Sequence, residues 1–282
     1  MALISCSACH SDNDITLDSV AANGAKVFRC EDCGNRWSPV ALTALPAFTR
    51  TPLQMARGRF ANISMVSPAL MTRVKRLKTS YLKAHPVAED VQVASWGRYR
   101  EMLTPEGLAV AAPQDLRELA TTGTGTRAGS MSVFSRTWKQ LGDEEAADRT
   151  RISLAYLLHG PAEQPLEDRL TGLIEGVDVG GMPGLKESFL TKVLHISEPE
   201  RFLPILTYGD EVTGKRDVTL AVYGLHLPKA EPTAMQIGRL AVWSNDLLLE
   251  LLGEGFTDAQ HASEFLDWAK DRVGETALSA VR

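Results

Sequence analysis

The sequence predicts a mainly α protein, in which a small four-cysteine β ribbon at the amino terminus is followed by a multi-helical body. Three observations predict it. All four cysteines lie within the span ending at Cys33, apolar residues recur at helical spacing from about Ser67 onward, and strand-like runs are concentrated between the cysteine pairs. The expected organisation is a ribbon over residues 1–40, a connector and basic helical segment over 41–112, and a helical domain over 113–282.

The totals agree with a folded chain. At 282 residues it is long enough for a sizeable core, and 44% hydrophobic with 23% charged residues is close to the average for globular proteins. No run of about 18 apolar residues occurs, and the start MALISCSACH lacks a basic region followed by a long apolar stretch. A cytoplasmic protein that makes no use of a membrane is expected. The net charge of −5 is unevenly spread: between Cys33 and Ala88 there is no Asp or Glu, while nine Lys and Arg residues fall there. Such asymmetry bears on partners more than the total does.

The ribbon rests on Cys6-x2-Cys9 and Cys30-x2-Cys33. Each pair turns the chain tightly enough to grip one metal ion, and the roughly 20 residues between pairs allow a hairpin to bring them face to face. Four thiolates at this spacing predict one tetrahedral, structural zinc with no open position, and its binding would supply the folding energy that so short a segment lacks. Ile15–Leu17 and Lys26–Arg29 read as the strands, with Ala22–Ala25 as their turn and Trp37 packed on the ribbon. Two rival readings stay open. The pairs could serve redox chemistry or disulfides, although no βαβ pattern accompanies them, and His10 could replace a cysteine as ligand.

The stretch from Pro39 to Pro52 reads as a connector, since three prolines favour extended backbone. A helix is expected to begin at Ser67-Pro68, an N-cap followed by proline at the first helical position. Leu70, Val74, Leu77 and Tyr81 form its apolar stripe. Arg57, Arg59, Arg73, Lys75, Arg76 and Lys78 are the candidate DNA-binding residues, because clustered cations gain from counterion release at phosphates. The rival reading is a solvated face that salt-bridges to the acidic remainder of the chain.

Helices are then expected over Asp115–Ala120, Val133–Leu141, Asp143–Leu158, Leu166–Ile174, Lys186–His195, Arg216–Tyr223, Ala234–Leu252 and Asp258–Val273. Trp138, Trp243, Trp268, Phe189 and Phe265 are expected as core anchors. Thr121–Arg127 reads as a loop of small hydroxyl residues, with phosphate wrapping as the sharper alternative.

Several candidate chemistries fail on residue type. Gly209–Lys215 matches P-loop spacing as far as its lysine, but Arg216 stands where Ser or Thr must hold magnesium. No Asp-x-Lys or Glu-x-Lys of the common nuclease type occurs. Glu264, Asp267 and Lys270 read as a solvated helix face with internal ion pairs. His159, His195, His226 and His261 lack a nucleophile, base or metal spacing around them. No catalytic residues are assigned, and a chain that is non-catalytic by itself is expected, with an enzyme of unfamiliar site as the remaining alternative.

Gly184-Leu185, Thr191-Lys192-Val193-Leu194, Pro199-Glu200-Arg201-Phe202-Leu203-Pro204-Ile205, Gly214-Lys215, Trp243-Ser244-Asn245-Asp246-Leu247-Leu248 and Phe265–Lys270 together resemble the region preceding the motor domain in McrB-type AAA+ restriction proteins. The resemblance spans roughly residues 125–275. It implies a part in modification-dependent restriction: a recognition module meeting DNA with modified cytosine, and partnership with an AAA+ motor or a nuclease subunit. This chain departs from the pattern in having no motor, so GTPase and translocation activity are not expected of it. Taken together, the sequence points to a zinc-stabilised DNA-binding module of a restriction or anti-phage system. The alternative is an interaction adaptor that docks a motor or nuclease without contacting DNA.

Overall fold

The computed structural model describes residues 8–9, 15–20, 26–37, 52–87, 93–121, 131–176 and 181–279. Cys6, His10, the expected turn at 22–25, the connector at 39–51 and the loop at 122–127 lie outside the described residues. The chain divides into two compact units, Met1–Thr51 and Pro52–Arg282. This divides the expected 41–112 segment. Its helices belong with those that follow, because Val74, Tyr81, Trp96 and Leu108 are buried in the same core as Leu190 and Leu248.

In the first unit, β1 (Ile15–Val20), β2 (Lys26–Cys30) and β3 (Arg36–Trp37) form an antiparallel sheet in that order. Ile15 faces Cys30 and Leu17 faces Phe28, after which a bulge between Leu17 and Ser19 shifts the register. Asp18, at the bulge, pairs with Arg36, and Thr16 donates to Glu31 across the first strand pair at 3.0 Å.

The second unit is helical. Its elements are α1 (Pro52–Arg57), a 3-10 turn at Ile63–Met65, α2 (Pro68–Ala84), α3 (Val93–Met102), α4 (Pro105–Val110), α5 (Pro113–Thr121), α6 (Ser132–Leu141) and α7 (Asp143–His159). There follow α8 (Leu166–Glu175), α9 (Glu187–Ser197), α10 (Lys215–Tyr223), α11 (Ile237–Leu252) and α12 (Ala259–Ser279). Among the described residues none of these helices is long and apolar enough to cross a membrane. The mainly α reading with a small β element therefore holds. Helix α2 starts as its sequence dictates: the Ser67 hydroxyl accepts from the Leu70 amide at 3.3 Å, with Pro68 following. Val74 and Tyr81 bury its apolar stripe, and Tyr81 packs against Phe265 and Trp268 of α12, each at 5.4 Å between ring centroids.

Helix α11 is the spine of the unit. It is apolar nearly all round, as a helix enclosed on most sides must be. Its first turn meets α8 so closely that a Cβ on Gly238 would lie 2.2 Å from the Glu167 carbonyl oxygen. Only glycine fits there, and the Gly238 amide uses the approach to donate to the Thr171 hydroxyl at 3.1 Å. Arg239 clamps the same pair by donating to both oxygens of Asp168, at 2.7 and 3.2 Å. Trp138, Trp243, Phe189 and Phe265 are fully buried, and Trp268 partly so.

Candidate metal centre and basic surface

The three-cysteine cluster is built around one tight turn. Cys30 ends β2, its amide donates to the Asn35 carbonyl at 2.9 Å, and the Gly34 amide donates back to the Cys30 carbonyl at 2.8 Å. Closing this turn requires Gly34 at φ +72°, a left-handed conformation that glycine adopts without strain. The turn carries Cys33 round to face Cys30, and Cys9 completes a cluster whose three sulfurs lie within 4.8 Å of one another. The Cys9 and Cys30 sulfurs are 3.7 Å apart. A disulfide would hold them near 2.05 Å, whereas thiolates each about 2.3 Å from one tetrahedral ion sit roughly 3.8 Å from each other. The observed spacing fits a shared metal. Cys30 is fully buried while Cys9 and Cys33 are exposed.

The basic residues have diverging roles. Arg57 donates to Asp246 at 3.1 Å and lies over the Trp243 ring, 5.4 Å from its centroid. Arg73 donates to the carbonyls of Arg272 and Val273 at 3.0 Å each, closing the later part of α12 onto α2. Lys78 donates to the carbonyls of Leu252 and Glu254 and sits over Phe256 at 4.6 Å. Burial lowers its pKa, with Glu254 raising it in part. These three cations fasten α1 and α2 to the body. Arg59, Lys75 and Arg76 are exposed, and no ion pair or side-chain hydrogen bond holds them among the described residues.

No protein-family model matches the chain, and no curated protein or solved structure is similar enough to match it. The residues on which the expected likeness to McrB-type proteins rests are mostly interior: Val193, Leu194, Phe202, Leu203, Trp243, Leu248 and Phe265 are all buried. Of the polar members Thr191, Lys192, Lys215, Ser244 and Asn245 are buried, while Glu200, Arg201 and Asp267 are exposed. Asn245 accepts from the Leu203 amide at 2.9 Å and donates to the Arg201 carbonyl at 2.6 Å, which pins the irregular 201–207 stretch against α11. What these positions specify is a packed scaffold.

The Gly209–Lys215 loop is held by its own hydrogen bonds and by a buried lysine. One Asp210 oxygen accepts from the amides of Val212 and Thr213, at 2.9 and 2.8 Å, and these bonds hold its pKa below the usual carboxylate range. Lys215 is fully buried and donates to the Ala241 carbonyl at 2.9 Å. Burial lowers its pKa, and the Glu187 and Asp246 carboxylates oppose that shift. Lys192 is buried as well, donating to the Leu119 carbonyl at 2.9 Å, and burial takes its pKa down to about 8. Lys270 departs from its expected role on α12, pairing with Asp217 and the Val212 carbonyl.

His195 is fully enclosed against Trp96, with Nδ1 2.5 Å from the Phe202 carbonyl and Nε2 buried without a partner among the described residues. Burial lowers its pKa below 6.5, more than the Phe202 contact and Asp258 raise it, and Arg100 lowers it further. As pH falls through about 6.5 the unfolded chain binds a proton that the folded chain resists, so stability is lost. Urea midpoints are expected to fall between pH 7.5 and 5.5, and the fall should be smaller in His195→Asn. An equal slope in both proteins would show that His195 does not cause it.

Two features escaped the sequence reading. A groove of about 440 Å³ runs between α2 and the end of α11, lined by apolar residues including Met71, Val74 and Leu251, with Lys75 and Glu250 beside them. A second cleft of about 440 Å³ lies beside α12 and includes Glu264 and Asp267. Ile63 and Met65, apolar residues just before α2, are exposed, and Ile63 lines the first groove.

Proposed function

We propose that the chain is a zinc-stabilised DNA-binding module of a restriction or anti-phage system, non-catalytic by itself. In this reading Cys6, Cys9, Cys30 and Cys33 hold one structural zinc, and Arg59, Lys75 and Arg76 meet phosphates. The observation that carries it is the convergence of three thiols within 4.8 Å of one another in a chain whose Cys33–Ala88 stretch has no acidic residue. The resemblance to McrB-type pre-motor regions supplies the setting. It adds DNA with modified cytosine, and an AAA+ motor or nuclease subunit, as partners.

The rival reading is an adaptor that docks a motor or nuclease without touching DNA. It is favoured by the inward commitment of Arg57, Arg73 and Lys78, which thins the exposed charge, and by the apolar groove beside α2.

Salt dependence separates the two. Three phosphate contacts give a slope of log K against log salt near −2.7, whereas apolar docking is insensitive to salt. The test is fluorescence anisotropy of the zinc-loaded chain with matched duplexes carrying plain or modified cytosine. Salt-sensitive binding is expected, and Arg59→Glu with Arg76→Glu should abolish it while leaving the unfolding midpoint unchanged. Absence of binding to either duplex at low salt would overturn the DNA reading, and a preference for the modified duplex would support the restriction setting.

A further inference from the structure

The cleft beside α12 is chemically one-sided. Its ionisable lining residues are Asp210, Glu264 and Asp267, all acidic. Its floor is apolar, made by the buried Pro204, Ile205 and Leu206 that Asn245 helps to hold in place. Asp210 is fixed by the two turn amides that it caps. Glu264 and Asp267 stand one turn apart on α12, where side chains three residues apart project as neighbours about 5–6 Å from each other.

Acceptors in this lining lack donors. Ser263 lines the cleft with only 7% of its surface exposed, and its hydroxyl has no hydrogen-bond partner among the described residues. Gln260 donates to Glu264 at 3.1 Å, yet its own carbonyl oxygen is buried without a donor among the described residues. Asp267 has no ion pair among the described residues, and the nearby Lys270 is already bound to Asp217 and the Val212 carbonyl. Burial raises the Asp267 pKa, Lys270 opposes this in part, and Asp271 and Glu264 raise it further. An incoming cation would relieve that repulsion and supply the missing donors.

We propose that this cleft binds a primary alkylammonium group, carried by a free aliphatic polyamine or by a lysine side chain. An ammonium offers three donors, enough for the Ser263 hydroxyl and the two carboxylates of α12 together. Its methylene stem then lies along Pro204, Ile205 and Leu206, as amphipathic side chains do on apolar surface. A bare divalent ion fits less well. It takes six or more oxygens within about 2.6 Å, and a cleft of about 440 Å³ with an apolar floor does not gather them.

The test is isothermal titration of the full chain with spermidine and, separately, with Nα-acetyl-lysine methylamide at low salt. No DNA is present, so its outcome is independent of the DNA reading. One site per chain is expected. Glu264→Gln with Asp267→Asn should weaken binding at least tenfold, because both charge-assisted hydrogen bonds are lost. Ser263→Ala, a change too small to endanger folding, should weaken it by a smaller factor. Spermidine binding well above the lysine amide identifies a free polyamine, and equal binding identifies a lysine side chain. No binding of either compound, or binding unchanged in all variants, overturns the proposal. Full displacement of spermidine by equimolar magnesium that the same variants abolish overturns it in favour of a metal site.

Discussion

Replacing Cys30 with serine is expected to abolish metal retention and unfold the ribbon, while the cooperative melting of the helical unit persists. Among the described residues of the first unit Cys30 alone is buried, so the described part of the sheet contributes almost no apolar core. Its stability must come from elsewhere. For structural zinc in small peptides the binding free energy, about 10–16 kcal/mol, is in effect the folding energy, and one lost thiolate removes most of it. Cys30 is also the residue whose amide and carbonyl close the Cys30–Asn35 turn, so metal and backbone hold the same few atoms. Metal analysis of the purified protein checks both parts. About one zinc per chain is expected in the natural protein and close to none in Cys30→Ser, with proteolysis of the variant confined to the ribbon. A natural protein carrying iron or no metal would sink the zinc reading.

The ribbon was legible because its information is local. Two residues separate the cysteines in each pair, and the strands between the pairs follow directly. The long helices were legible for a similar reason, since α7, α11 and α12 carry their period over many turns. Helices α1 and α4 are too short to show one, and Gly97 interrupts the pattern of α3, although Trp96, Tyr99 and Leu103 keep helical spacing and are buried. The basic residues were harder. Arg57, Arg73 and Lys78 find partners 189, 199 and 174 residues away, and no window of sequence around them encodes that. Arg59, Lys75 and Arg76 share their composition and differ only in the side of the structure they occupy. The buried lysines left a faint trace: Lys192 stands in the run Phe189–Leu194, whose other members are apolar except Thr191.

Lys215→Ala is expected to lower the stability of the helical unit by about 3–5 kcal/mol, the usual consequence of removing one partner from a buried charged cluster. Three losses combine in the folded state. The Ala241 carbonyl loses its donor, the methylenes that fill the space beside α11 are deleted, and Glu187 loses the cation that offsets its burial. For a unit of this size the melting temperature should drop by roughly 10 °C or more. Lys215→Met with Glu187→Gln should recover much of the loss, because removing both charges at similar volume is close to neutral. That pattern discriminates between two meanings of the same seven residues. A phosphate-binding lysine at Gly209–Lys215 would be exposed, and its replacement would alter nucleotide affinity while leaving the unfolding midpoint in place. A lysine that holds α10 to α11 does the reverse. A Lys215→Ala midpoint within about 0.5 kcal/mol of the natural protein would mean that the Ala241 contact and the Glu187 charge contribute nothing, and the loop would have to be read again as a ligand site.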